Sequence, residues 1–142
     1  MTVAMRTAVD ASPDTTTSSG YQPGVCNIGP DEIARRRRAG HVGLLATLVA
    51  LAVSVVIGAP PLARFLVAIP AAGAASGYLQ ARLKFCAGFG VRGVFNFGSV
   101  GPTHRMADVE ARARDRAMAT RIGLASIAIG VVVGVVASVL PR

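Results

Sequence analysis

Residues 41–58 read HVGLLATLVALAVSVVIG and carry no charged side chain over 18 positions. At about 1.5 Å of rise per residue, a helix of that length nearly crosses a hydrocarbon core of about 30 Å, so the stretch predicts a transmembrane helix. Gly58-Ala59-Pro60-Pro61 follows at once. Proline cannot continue a helix but suits the first position of a new one, which sets a second helix from about Pro61 to Leu83. A connection this short makes the pair an antiparallel hairpin. Arg64 is expected to snorkel to the far interface, Pro70 to kink the second helix, and Tyr78 to sit in an aromatic belt before Arg82 and Lys84 mark the return to the cytoplasm. Residues 122–140, IGLASIAIGVVVGVVASVL, form another uncharged run of 19 positions. The predicted fold class is an all-α membrane protein: a transmembrane helical hairpin plus a third transmembrane helix with a cytoplasmic helical extension.

The rest of the 142 residues fit that frame. The chain is 52% hydrophobic and only 15% charged, against about 25% charge in soluble domains, and its mean hydropathy is +0.53. Its charge is segregated: Arg35, Arg36, Arg37 and Arg38 abut the first apolar run, and a second basic group lies between the later ones. With the N-terminus inside, 13 of the 15 basic residues, all but Arg64 and Arg142, face the cytoplasm. The positive-inside rule therefore orients the chain with its N-terminus cytoplasmic and its C-terminus outside, and the membrane is expected to be a bacterial inner membrane. The same topology accounts for the net charge of +8 without a nucleic-acid partner. Residues 1–25 hold Asp10, Asp14 and a Thr/Ser run but no apolar core of a signal peptide, so the first span is expected to be retained as an anchor.

Along the chain, five segments are distinguished. Residues 1–25 are expected to be a disordered cytoplasmic tail, too polar to bury much surface. Residues 26–40 form an interfacial basic segment, with Pro30, Asp31 and Glu32 opening a short helix. Residues 41–84 are the hairpin. Residues 85–105 hold four of the five phenylalanines among several glycines and are expected to be an irregular interfacial loop with its aromatics among headgroups. In residues 106–142 a charged helix, supported by Asp108 with Arg112 and Glu110 with Arg114 at i,i+4, runs into the third span.

Candidate sites are few. Small residues recur every fourth position as Ala46, Ala50, Ser54 and Gly58; as Gly73, Gly77 and Ala81; and as Ser126, Gly130, Gly134 and Ser138. Such stripes let helix backbones approach closely, so Gly73, Gly77, Gly130 and Gly134 are expected packing positions, within the chain or between copies. Cys26 and Cys86 lie before the first span and after the second, and the hairpin returns both to one membrane face, where they form a possible thiol pair. They show no ligand spacing for a metal, and His41 and His104 lack the partners of a hydrolytic site. Gly88-Phe89-Gly90-Val91-Arg92-Gly93 matches G-x-G-x-x-G but follows a transmembrane helix instead of a strand, so no nucleotide cofactor is expected. No catalytic or metal-binding residue is assigned.

The run Cys26-Asn27-Ile28-Gly29-Pro30-Asp31-Glu32-Ile33-Ala34-Arg35, followed by the hairpin and then Phe85-Cys86, resembles the YgaP-like transmembrane domain family. Its members are small hairpins of bacterial inner membranes, opening with Asn-Val/Ile-Gly, an acidic residue and arginines and placing Phe-Cys near the end of the second helix. The resemblance covers residues 26–90; Ala87 stands where the family has proline, Asp31-Glu32 where it has Asp-Arg, and the third span is additional. Some members carry a rhodanese sulfurtransferase domain, for which residues 1–142 offer no counterpart, so sulfurtransferase activity is not expected. The leading expectation is a non-enzymatic membrane subunit, self-associating as a homo-oligomer or scaffolding a larger complex, that presents Arg35–Arg38 to anionic lipids or a partner. The alternative is a thiol or sulfur redox accessory protein using Cys86 and possibly Cys26.

Overall fold

A computed structural model describes residues 20–141, and three of its helices are long and apolar enough to cross a membrane. The first, α1 (Pro30–Val56), is one unbroken helix of 27 residues. The expected short interfacial helix is simply its first turns, because nothing between Arg38 and His41 interrupts the hydrogen-bond ladder. At about 40 Å it outlasts the hydrocarbon core, so its Arg-rich end stands proud of the apolar section. Gly58 terminates it: in the left-handed region at φ +63°, it lets the Ala59 N–H reach the Ser54 carbonyl at 2.9 Å and its own N–H reach Val55 at 3.0 Å. This is the paired bonding that closes many helices with glycine.

The chain reverses through Pro60 into α2 (Pro61–Phe65), then α3 (Ala68–Arg82). The two form one span interrupted at Leu66-Val67. Pro70 is the cause, since it has no N–H to give the Leu66 carbonyl, and Ile69 tightens onto that carbonyl instead at 3.1 Å. After α3, Lys84 takes the left-handed position (φ 53°), with Phe85 N–H donating to Gln80 O at 3.0 Å. That turn starts a six-residue helix, α4 (Ala87–Arg92), ended by Gly93 at φ +66°. A two-residue ribbon follows, β1 (Val94–Phe95) antiparallel to β2 (His104–Arg105) in the register Val94 to Arg105 and Phe95 to His104. The irregular loop expected over 85–105 is thus ordered at both ends. Two of its glycines have a defined task, Gly93 ending α4 and Gly90 seated where a Cβ would lie 2.8 Å from the Phe85 ring, a role the composition conceals.

The last helix, α5 (Val109–Val139), runs 31 residues from an N-cap at Asp108, whose side chain accepts from Glu110 N at 3.0 Å. Asp108 is therefore occupied as a cap and does not pair with Arg112, whereas Glu110 does pair with Arg114. In the bundle, α3 lies between α1 and α5 and packs on both. The contacts are small-residue contacts: a Cβ on Gly77 would lie 2.5 Å from Gly40 N, and one on Gly130 or Gly134 would lie 2.6 to 2.8 Å from atoms of Ala68, Ala72 and Phe65. Hydroxyls facing these seams close on their own helices, Thr47 on Gly43 O and Ser126 on Ile122 O, both at 2.7 Å. Arg64 does not snorkel outward. It is 2% exposed and donates from Nη1 to the Leu140 carbonyl at 2.9 Å, meeting the negative end of α5.

All of the remaining structure sits at one end of the bundle, where α1 and α5 begin and α3 finishes. Residues 20–29, α4 and the ribbon form a cap there.

Candidate functional site

The cap is organised by Asn27, which is fully buried. Its side chain reads the backbone of Cys86 as a strand would: Cys86 N–H donates to Oδ1 at 2.7 Å and Nδ2 donates to the Cys86 carbonyl at 3.1 Å. The Asn27 N–H adds a bond to the Lys84 carbonyl at 3.2 Å. On the other side the same segment pairs with the ribbon: Gly29 N–H donates to Asn96 O at 2.8 Å and Asn96 N–H to Asn27 O at 3.0 Å. A Cβ on Gly29 would lie 2.8 Å from the Phe97 carbonyl oxygen, so this approach requires glycine. The turn after α3 presents the Cys86 backbone to it, and Gln80 Oε1 secures α4 by accepting from Ala87 N at 3.0 Å.

These contacts place Cys86, 2% exposed, directly under α1. Arg36 Nη2 donates to its Sγ at 2.9 Å, and the same guanidinium lies over the Phe89 ring with its carbon 5.9 Å from the centroid. Glu32, 1% exposed, sits one turn earlier; its carboxylate is 3.7 Å from both Arg35 and Arg36 and has no hydrogen-bond partner. The centre is a thiol, a guanidinium and a carboxylate stacked in order. Phe85 is buried completely beside Ala119 and Ile122 of α5 and so does not lie among headgroups.

A second polar anchor joins the start of the described chain to α5. Asp115 is fully buried and accepts from Gly24 N at 2.6 Å and Tyr21 Oη at 3.2 Å, while Tyr21 stacks on Phe95 at 4.9 Å. Burial raises the Asp115 pKa, opposed by those two donors, and burial together with the negative charge of Asp115 pushes the Tyr21 phenol above its usual range. Residues 20–25, expected to belong to the disordered tail, are therefore pinned; residues 1–19 of that tail lie outside the described residues.

The sequence-derived candidates are distributed unevenly. The segments carrying Cys26 and Cys86 meet, but through Asn27: both thiols are free, and Cys26 Sγ lies 3.7 Å from the Ile28 carbonyl. The four arginines do not form one face. Four consecutive helical residues fan through about 300°, so Arg36 turns inward to Cys86 while Arg35, Arg37 and Arg38 stay exposed. Gly77, Gly130 and Gly134 are seated within the chain, whereas nothing lies within 4 Å of a Cβ on Gly73. Of the run Gly88 to Gly93, Gly88 to Arg92 lie in α4 and Gly93 ends it. Among the described residues no three His, Cys, Asp or Glu side chains gather as a metal site.

Asp115, Tyr21, Asn96 and Gln80 were not singled out from the sequence. Asp115 alone left a trace: it continues the buried column Ala111, Ala119, Ile122, Ser126, Gly130 and Gly134 of α5, where an acid is out of place.

Fold and site together define a multi-pass, all-α membrane protein with three spans and a polar cap over one end. Comparison with protein-family models gives no match, and neither do comparisons with curated proteins and with solved structures.

Proposed function

We propose that this is a non-catalytic component of a bacterial inner membrane, oriented with the cap in the cytoplasm, that serves as a basic platform scaffolding a membrane assembly. The observation that carries the reading is the distribution of charge: twelve of the thirteen Lys and Arg among the described residues lie at the capped end, and Arg64 alone at the other. Positive-inside placement sets the orientation. Each basic side chain near an anionic leaflet contributes about 1 kcal/mol of attraction, so the platform favours anionic lipid or an acidic partner. Membership of the YgaP-like hairpins, with a third span added, is part of the same proposal. Its support is that Asn27, Gly29, Phe85 and Cys86, the residues of the resemblance, converge in the cap.

Self-association is assigned to the outer faces. Gly77, Gly130 and Gly134 are already occupied within the chain, which leaves exposed Gly73, of the four expected packing glycines, open to a second copy. Affinity purification of the full-length tagged protein from its native membrane in mild detergent tests the platform. A stoichiometric partner, or a defined homo-oligomer, is the expected outcome; recovery as a lone monomer overturns the scaffold.

A second reading, thiol chemistry at Cys86, is favoured by the 2.9 Å contact from Arg36, which brings positive charge to the sulfur. It predicts that a membrane-permeant maleimide modifies Cys86 faster than the less buried Cys26, and that Arg36→Gln removes the lead. Slower modification of Cys86 in the wild type counts against it.

A further inference from the structure

We infer that the cleft between α1 and α3 below the cap holds one anionic phospholipid, its phosphate among Arg37, His41, Tyr78 and Arg82 and an acyl chain in the apolar valley beneath. The inference deepens the basic-platform reading and rests on its capped end meeting the anionic leaflet.

The upper part is an open cleft of about 390 Å³ lined by Arg37 and His41 of α1 and by Tyr78, Ala81 and Arg82 of α3. Its cations are uncommitted: the ion pairs among the described residues use Arg35, Arg36 and Arg114, and neither Arg37 nor Arg82 belongs to one. His41 is tied by Nδ1 to Tyr78 Oη at 2.7 Å, which leaves Nε2 as the nitrogen it offers a phosphate oxygen. Two guanidinium groups and an imidazole around one opening carry the charge sign and the hydrogen-bond donors that attract an anionic phosphate.

Depth then selects among phosphates. Charged residues end at Arg38 on α1, resume at Arg82 on α3 and end at Arg121 on α5, so the cleft lies at the headgroup level. Directly below, and sharing Tyr78, runs a second cleft of about 330 Å³ whose lining is almost wholly apolar. Its floor is Ala71, Ala74 and Ala75 of α3, whose methyl groups are too small to fill the space between the flanking helices. Leu44 of α1 forms one bank, and Ile129 and Val133 of α5 the other. The Thr47 hydroxyl in this wall is already bonded to Gly43 O, so the valley offers a ligand nothing polar. A free phosphate ester would leave it empty, whereas a phospholipid fills both parts at once.

Native mass spectrometry of the full-length protein in a non-ionic detergent, titrated with phosphatidylglycerol or phosphatidylcholine of identical acyl chains, tests the assignment. One phosphatidylglycerol should be retained per chain at least tenfold more tightly than phosphatidylcholine. Arg37→Gln with Arg82→Gln should erase that preference, and Ile129→Trp, which narrows the valley without changing charge, should weaken retention by about tenfold. Each variant alters exposed side chains, so thermal unfolding in lipid-free detergent should match the wild type. Arg105→Gln with Arg116→Gln, remote from the cleft, should leave binding within twofold. Equal retention of the two lipids by the wild type, or no loss in Arg37→Gln/Arg82→Gln, overturns the site. Equal weakening by the remote pair overturns it as well but leaves the basic platform standing. Displacement by glycerophosphoglycerol at lipid concentrations would make the occupant a soluble phosphate ester and overturn the lipid assignment. A selective lipid on a protein purified as a lone monomer would retain the site and remove the scaffold.

Discussion

Where α1 meets α3, the joint is backbone on backbone, Gly77 against Gly40 at the headgroup end and Gly43 against Ala74 in the apolar section; where the same helices are joined in the cap, Asn27 clasps the backbone of Cys86 with two hydrogen bonds. The contrast follows from the surroundings. In lipid, two apolar helix faces gain little by leaving hydrocarbon for one another, so close approach and dispersion across small residues must hold them. At the cap, water competes for every polar group, and a buried one is tolerable only when its partners are present. The spanning section should therefore be sensitive to volume and indifferent to which small residue is used, and the cap should be sensitive to single polar atoms.

The largest break expected is Gly77→Leu. Backbone atoms of Gly40 and Arg36 lie 2.5 to 2.9 Å from the added Cβ and cannot swing away, so the loss should be about 3 kcal/mol or more, read by denaturant unfolding in micelles. Asn27→Ala follows at about 2–3 kcal/mol, because it removes both bonds to Cys86 and leaves a buried N–H and C=O unmet. It should also free residues 20–29 to protease while the spans stay folded, a separation that Gly77→Leu cannot produce.

Asp115 sharpens the comparison through pH. Its pKa is raised in the folded protein, so its contribution to stability is fully present below the ordinary carboxylate pKa of 3.8 and is lost as pH rises through the raised value. Asp115→Asn keeps an acceptor for Gly24 and Tyr21 without the charge. Its melting temperature relative to wild type should climb as pH rises from 4 toward neutrality; a constant difference would show that the carboxylate is not titrating between those limits. Lys84→Gly is a smaller effect and of opposite sign to the first two. Lysine holds a left-handed backbone where glycine is at ease, so a gain of about 0.5–1 kcal/mol is expected. Smallest of all, Gly73→Leu should change the unfolding of the isolated chain by less than about 0.5 kcal/mol, since a Cβ there meets nothing. Loss of a homo-oligomer in that variant would locate the contact between copies.

The spanning section was readable because its signals are local. An uncharged run of helical length, Gly58-Ala59-Pro60-Pro61 and the break imposed by Pro70 each act within a few residues of where they stand. Even there, which glycines face a neighbour was not readable: Gly73 and Gly77 share a stripe on paper, but α3 buries only Gly77. The cap was hidden because its bonds join residues distant in sequence. Asn27 reaches Cys86 across 59 positions and Tyr21 reaches Asp115 across 94, and neither periodicity nor spacing encodes such a pairing. Arg64 was misplaced for the same reason, since its partner is the far end of α5.

Orientation is tested most directly by labelling single cysteines in intact cells with a membrane-impermeant maleimide. In a chain carrying Cys26→Ala and Cys86→Ala, a cysteine at exposed Leu62, on the turn end, should react from outside. One at exposed Ser99, in the cap, should react only after the membrane is permeabilised. Labelling of Ser99→Cys from outside, with Leu62→Cys protected, would contradict a cytoplasmic cap and the basic platform built on it.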